Sequence, residues 1–142
     1  MKITDFIICD DVRQEIGNKF TLVGVYDTDV RIQTPSPESL TWPLPVNLAI
    51  YSRLQLEPKD EGLDTFEMVI TQDEKELARL QGKINIQHRD RAFPISARMP
   101  GFPLPGPGLI KFHLRFTYQG KPIFDGDAPK TVRIMVEKTE SS

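Results

Sequence analysis

Lys111-Phe112-His113-Leu114-Arg115-Phe116-Thr117-Tyr118 decides the fold. Apolar and polar side chains alternate along it, so its period is two and it reads as a strand with one dry and one wet face. Phe112, Leu114, Phe116 and Tyr118 point one way, and Lys111, His113, Arg115 and Thr117 the other. Gln119-Gly120 makes a turn, and Pro122-Ile123-Phe124 begins the return. Residues 125–130 read as a loop, Val132, Ile134 and Val136 mark a last strand, and residues 139–142 are a frayed polar tail.

Working back from that strand, the segment 100–108 holds four prolines and three glycines around Phe102 and Leu104 and reads as an irregular loop. Residues 92–99 form a strand that Pro94 confines to an edge or a bulge. Residues 73–81 carry two conflicting signals. Asp73 with Glu76 resembles a capping box, and Leu77 and Leu80 have helical spacing. The surrounding strand spacing favours a tight turn at Asp73-Glu74, and we read a hairpin. Phe66, Met68 and Ile70 alternate in the preceding strand, and Val46 to Leu56 reads as a long central one. Residues 57–63 are a charged loop. Pro35, Pro37, Pro43 and Pro45 make 34–45 a stiff non-helical connector, with Trp42 pinning it to the core. Val30 to Gln33 is a short strand.

At the head, residues 3–9 are a largely buried strand that Asp10 and Asp11 stop, and 12–15 have the makings of one helical turn. Gly17-Asn18 turns the chain into a strand over 20–26, where Gly24 signals a bulge or the close approach of another backbone. The pattern Cys9-Asp10-x-Val12-Arg13-x-Glu15, then Lys19-Phe20-x-Leu22-x-Gly24-x-Tyr26, resembles the head signature of a family of small bacterial β-rich proteins of unknown function. The resemblance implies a bacterial, single-domain, β-rich protein, and it brings no activity and no functional residue.

Together these segments predict an all-β fold: an antiparallel β-sandwich of about eight strands, immunoglobulin-like in architecture, with one domain over 1–138. A chain of 142 residues buries enough surface for a core without staples. One cysteine cannot close an internal disulfide, and no secretory or membrane-spanning stretch is visible, so the bacterial cytoplasm is the expected compartment. A net charge of −2 gives no general pull toward nucleic acid or anionic membrane.

The catalytic constellations are missing. Cys9 ends an apolar strand beside two aspartates, a setting that disfavours a thiolate. His88 and His113 lie in separate strand regions and read as surface partners. We therefore expect a protein that is not an enzyme, with no cofactor and no structural zinc. Asp10, Asp11, Asp60, Asp64, Asp125 and Asp127 fall in expected loops; turn chemistry explains them better than calcium does. Lys111, His113 and Arg115, with Arg89, Arg91 and Arg98 upstream, make a basic row without interleaved aromatics, so a nucleic-acid role is disfavoured. The reading this leaves is a non-enzymatic protein-interaction module. The alternatives are a calcium-dependent or small-molecule-binding sandwich, or a polyanion binder using the basic row. The partner-contact residues we single out are Phe102, expected to be exposed, with Leu104, Lys111, His113 and Arg115.

Overall fold

The computed structural model describes residues 1–17, 19–87 and 92–140. Ten strands are formed among them: β1 (Lys2–Glu15), β2 (Lys19–Val25), β3 (Asp29–Thr34), β4 (Leu44–Gln55), β5 (Leu63–Gln72), β6 (Lys75–Ile86), β7 (Phe93–Leu104), β8 (Gly108–Tyr118), β9 (Lys121–Asp127) and β10 (Val132–Lys138). They make two sheets. One has the order β2-β1-β4-β7, and the other holds β3, β10, β8, β5 and β6, with β9 paired to β8. The fold is an all-β sandwich. It has ten strands where about eight were expected. Its pairing is not wholly antiparallel either, because β10 runs parallel to β3, with Ile134 opposite Val30. No described helix is long and apolar enough to cross a membrane.

The chain falls into two compact units, each drawn from three separated segments. The first comprises Met1–Phe6, Ser52–Ile95 and Ile110–Thr131. Its centre is β5, antiparallel to β8 on one side and to β6 on the other. The register sets Phe66 opposite Phe116, Met68 opposite Leu114 and Ile70 opposite Phe112. Those pairs share the dry face read from the β8 alternation, and Phe112, Leu114 and Phe116 are buried as that alternation requires. The Phe116 ring lies 6.4 Å from those of both Phe66 and Phe124. Phe6 of the other sheet meets Phe112 at 5.7 Å, which is where the two layers of this unit touch.

The hairpin at 73–81 forms as expected. Asp73 and Glu74 both take positive φ, 48° and 70°, so their backbone twist matches the flanking strands. Helical spacing at Leu77 and Leu80 loses because β6 gains a full ladder against β5. Gly82 stands opposite Phe66, and a Cβ there would lie 2.5 Å from the ring, so the aromatic covers the glycine. In this unit the loop 57–63 turns its Asp60 carboxylate inward, where it accepts the Glu57 N–H at 2.9 Å and pairs with the Met1 ammonium. Burial works against that carboxylate's ionisation, but the ammonium and the N–H outweigh it and lower its pKa. The loop expected at 125–130 is shorter than read, because β9 continues through Asp125 and Asp127 against β8.

The second unit comprises Ile7–Tyr51, Ser96–Leu109 and Val132–Ser142. Cys9, Val12 and Ala49 form a buried cluster, packed by Phe20, Leu22 and Tyr51. Asp10 and Asp11 do not stop β1, and no helical turn forms at 12–15; β1 runs on to Glu15. The pairing with β2 supplies the backbone hydrogen bonds a helical turn would have offered, and it buries Val12 opposite Leu22. Asn18 lies outside the described residues. The connector 34–45 holds one 3-10 turn, Pro37–Ser39, with its proline in the first turn, where no N–H is needed. Trp42 is half-buried. Pro94, which belongs to the first unit, sits on β7, an edge strand, as its missing N–H predicts.

The segment after Met99 corrects the expectation of an exposed Phe102. β7 extends through it, and Phe102 and Leu104 are buried, at 6% and 1% exposure. Along β7 the more sheltered positions are odd-numbered from Phe93 to Met99 and even-numbered from Phe102. Gly101, at φ 64°, absorbs that one-residue shift, which an L-residue does not adopt readily. The glycine therefore turns both apolar side chains inward.

The inward face of β8 yields a stability prediction. Phe116→Ala should cost about 3–5 kcal/mol, the usual range for a core phenylalanine. Arg115→Ala, on the wet face, should cost well under 1 kcal/mol in the same urea melts, near the ~0.5 kcal/mol usual for surface changes. Equal losses would mean that the facing is wrong.

Candidate functional site

The wet face of β8 lies in the first unit. The register opposes Arg115 to Glu67 on β5 and to Asp125 on β9. His113 stands between two carboxylates. Its Nε2 lies 2.6 Å from Asp125 Oδ1 and its Nδ1 3.1 Å from Asp127 Oδ1. Hydrogen bonding to Asp125 and then to Asp127 raises the imidazole pKa above its ordinary value of 6.5. Glu67 accepts from Gln81 at 2.7 Å and from Arg79 at 2.8 Å; these bonds hold its pKa below the usual range. An open groove of about 490 Å³ runs over this face.

The basic row is real along β8, but acids from β5 and β9 interleave with it. The surface is therefore a lattice of paired charges, which lacks the uniform sign that attracts a polyanion. Arg89 and Arg91 of that row, and His88, lie outside the described residues, and Arg98 belongs to the second unit. His113 also fails as a metal ligand in partnership with Asp125 and Asp127, because those carboxylates meet opposite nitrogens of one ring and diverge from any common point. The other loop acids have separate partners: Asp60 the Met1 ammonium, Asp64 the Gln119 N–H at 2.8 Å, Asp11 two arginines. No group of three metal-ligating side chains gathers among the described residues.

The second surface, in the second unit, grows from the head pattern. A Cβ at residue 24 would lie 2.1 Å from Asp10 Oδ2, so Gly24 is the space into which the Asp10 carboxylate folds. The close approach expected at Gly24 is thus by a side chain and not by a backbone. Positive φ, 64°, is the second reason for glycine there. The Tyr26 hydroxyl donates to the Asn47 carbonyl oxygen at 2.6 Å and also lies against Asp10. Burial first, then Asp10, pushes the phenol pKa far up, so Tyr26 stays neutral.

Asp10, Gly24 and Tyr26 of the pattern are therefore one cross-strand contact. Sequence reading treated them as separate turn and strand signals, and the i, i+2 spacing of Gly24 and Tyr26 was the clue that they share a face. Beside them, Asp11 accepts from Arg98 Nε at 2.8 Å and from Arg13 Nε at 3.2 Å. Burial opposes ionisation of Asp11, but the two guanidinium groups outweigh it and lower its pKa. These residues line a groove of about 370 Å³ together with Asp10, Val23 and Asn47. Cys9, nearby, has its thiol pKa raised by burial above all. Its Sγ lies 3.3 Å from the Asp11 carbonyl oxygen.

Of the expected contact residues, the structure brings Lys111, His113 and Arg115 together on one face of the first unit. Phe102 and Leu104 lie inside the second unit and present nothing to a partner. The profile of a family of unknown function, DUF6941, matches residues 4–120, a span that includes the whole head pattern. No curated protein matches the chain.

Two measurements test this geometry. The His113 pKa should lie above 6.5 by NMR titration, and Asp125→Asn should lower it more than Asp127→Asn. Because the folded-state value is raised, the protonated imidazole stabilises fully below the unfolded value of 6.5, and that contribution is lost as pH rises through the folded value. The stability gap between wild type and His113→Gln should therefore shrink as pH rises across that window. Gly24→Ala should destabilise by more than the ~1 kcal/mol of left-handed backbone alone, because Asp10 must also move. Adding Asp10→Ala should recover only the steric part in a double-mutant cycle.

Proposed function

The chain belongs to the DUF6941 family, and because that family is of unknown function we propose a role from the chain's own surfaces: a non-enzymatic module that binds a protein partner along the free edge of β2. The bacterial cytoplasm is the setting we assign to it, in line with its single cysteine. The observation that carries the reading is the apolar exposure of this edge. β2 ends its sheet and pairs only with β1 among the described residues. Val23 and Val25 on that strand are 39% and 57% exposed, and Ile16 at the hairpin tip is 97% exposed. An edge strand with unpaired backbone groups and exposed β-branched side chains is a template for an added strand. Native edges are normally blunted by charge or proline, and between Phe20 and Val25 this one carries neither.

The non-enzymatic part rests on the state of the reactive groups. The Cys9 thiol is buried with a raised pKa, the Tyr26 phenol stays neutral, and His113 is held on both nitrogens by carboxylates. None of these is an activated nucleophile with a free base beside it.

The test uses the partner that co-purifies with the native protein. Val23→Lys with Val25→Lys should abolish that binding. Both positions face water, so stability should change by only about 0.5 kcal/mol per site. Hydrogen exchange should show the β2 amides that point away from β1 protected in the complex and unprotected in the free protein. Unchanged affinity in the double variant, or protection confined to other strands, would remove the β2 edge from the function.

A further inference from the structure

Asp60, in the loop that joins β4 to β5, is buried at 5% exposure, a setting that a carboxylate tolerates only with a partner. Its partner is the Met1 ammonium, and Met1 is buried as well. The same carboxylate oxygen, Oδ2, also accepts the Glu57 N–H, and the Asp60 N–H donates back to the Glu57 carbonyl oxygen at 2.9 Å. The ammonium therefore closes onto a turn that is bonded in both directions. Glu57, the second acid at the ammonium, lies 3.9 Å away, is exposed and also meets Lys59 at 3.6 Å. It does not neutralise the ammonium at close range as Asp60 does. Leu56 and Leu63, on either side of the turn, are buried, so the turn is tied to the core at both ends.

We propose that the free α-ammonium of Met1 is the lock on the loop 57–63, so that the chemical state of this nitrogen sets whether the loop is held. An acyl group on it, formyl or acetyl, or a residue preceding it, turns the ammonium into a neutral amide with one N–H. The Asp60 carboxylate then stays buried without its counter-charge, which costs far more than the loss of an exposed ion pair. The loop answers by turning Asp60 out to water, and it gives up the bond from the Glu57 N–H as it does so. β5 starts at Leu63, where the loop ends, so the disturbance enters the first unit beside its central strand. The fold thus distinguishes a free from an acylated α-nitrogen within the chain itself.

Cys9 lets the two forms be compared directly. A synthetic segment 1–8, with its α-nitrogen free or acetylated, is joined to residues 9–142 by thioester ligation at that cysteine, and the full chain is refolded. The acetylated chain should melt roughly 5 °C or more below the free one. Its Glu57 and Asp60 amides should exchange with solvent about tenfold faster. In an Asp60→Asn background, which has no carboxylate at this position, acetylation should shift the melting temperature by less than about half as much. A further measurement does not depend on the acetylated chain folding. In the free-amine protein, an acetylating ester should modify the Met1 nitrogen about tenfold more slowly in buffer than in urea, with the exposed Lys2 as the internal reference. Equal melting temperatures for the two forms, an acetylation effect of the same size in Asp60→Asn, or a Met1 nitrogen that reacts as fast folded as unfolded, overturns the lock.

Discussion

The pairing of β5 with β8 is the constraint on which the first unit depends. It sets Phe66, Met68 and Ile70 opposite Phe116, Leu114 and Phe112, so one register both fills the dry face and fixes the wet one. A slip of one residue would turn Phe112 and Phe116 to water and bring Lys111 and Arg115 inside. The charge lattice of Glu67, Arg79, His113, Asp125 and Arg115 exists only because the phenylalanines lock that register from the other side. Its ion pairs are exposed and contribute little stability individually. Their order is a consequence of the core rather than a cause of it.

In the second unit the corresponding role falls to the contact between β1 and β2. Two aspartates in mid-strand are poor strand formers, and each is accommodated differently. Asp10 folds into the space that Gly24 leaves, against Tyr26. Asp11 is neutralised by Arg13 and Arg98. The residues that give the head of the chain its recognisable pattern thus have a structural reason for their spacing, and the same arrangement leaves a charged groove next to an apolar edge.

How much of this was legible in the sequence varied with the kind of signal. The β8 alternation was readable because period two is a local property with no competing pattern. The hairpin at 73–81 was readable because strand spacing on both sides outweighed a local capping signal. Asp10-Asp11 misled because their turn preference is intrinsic, whereas what holds them in β1 is a glycine 14 positions away from Asp10 and an arginine 87 positions away from Asp11. Asp125 and Asp127 misled for the same reason, since β8 holds them in a ladder. The parallel pairing of β3 with β10 joins segments far apart in sequence, Val30 opposite Ile134, and no short-range pattern announces such a partner. Of the candidate surfaces, the wet face of β8 was visible as a row, but the acids that neutralise it come from other strands. The β2 edge was missed because strand order, which decides which strand is last in a sheet, is not written in any one strand.

Gly101 has a bearing on how chains like this one tolerate change in length. Upstream of it the odd positions of β7 are sheltered, and downstream the even ones are, so the glycine works as a reading-frame reset within a single strand. A one-residue deletion or insertion elsewhere in β7 would throw the following side chains onto the wrong side. The same length change at Gly101 alters the frame at the one point where the backbone already departs from the pleat. Relatives that differ in length here can therefore keep Phe102 and Leu104 inside by moving or losing the reset. Comparison of sequences across this segment must follow the facing of side chains, since matching residue numbers alone would pair an inward phenylalanine with an outward proline.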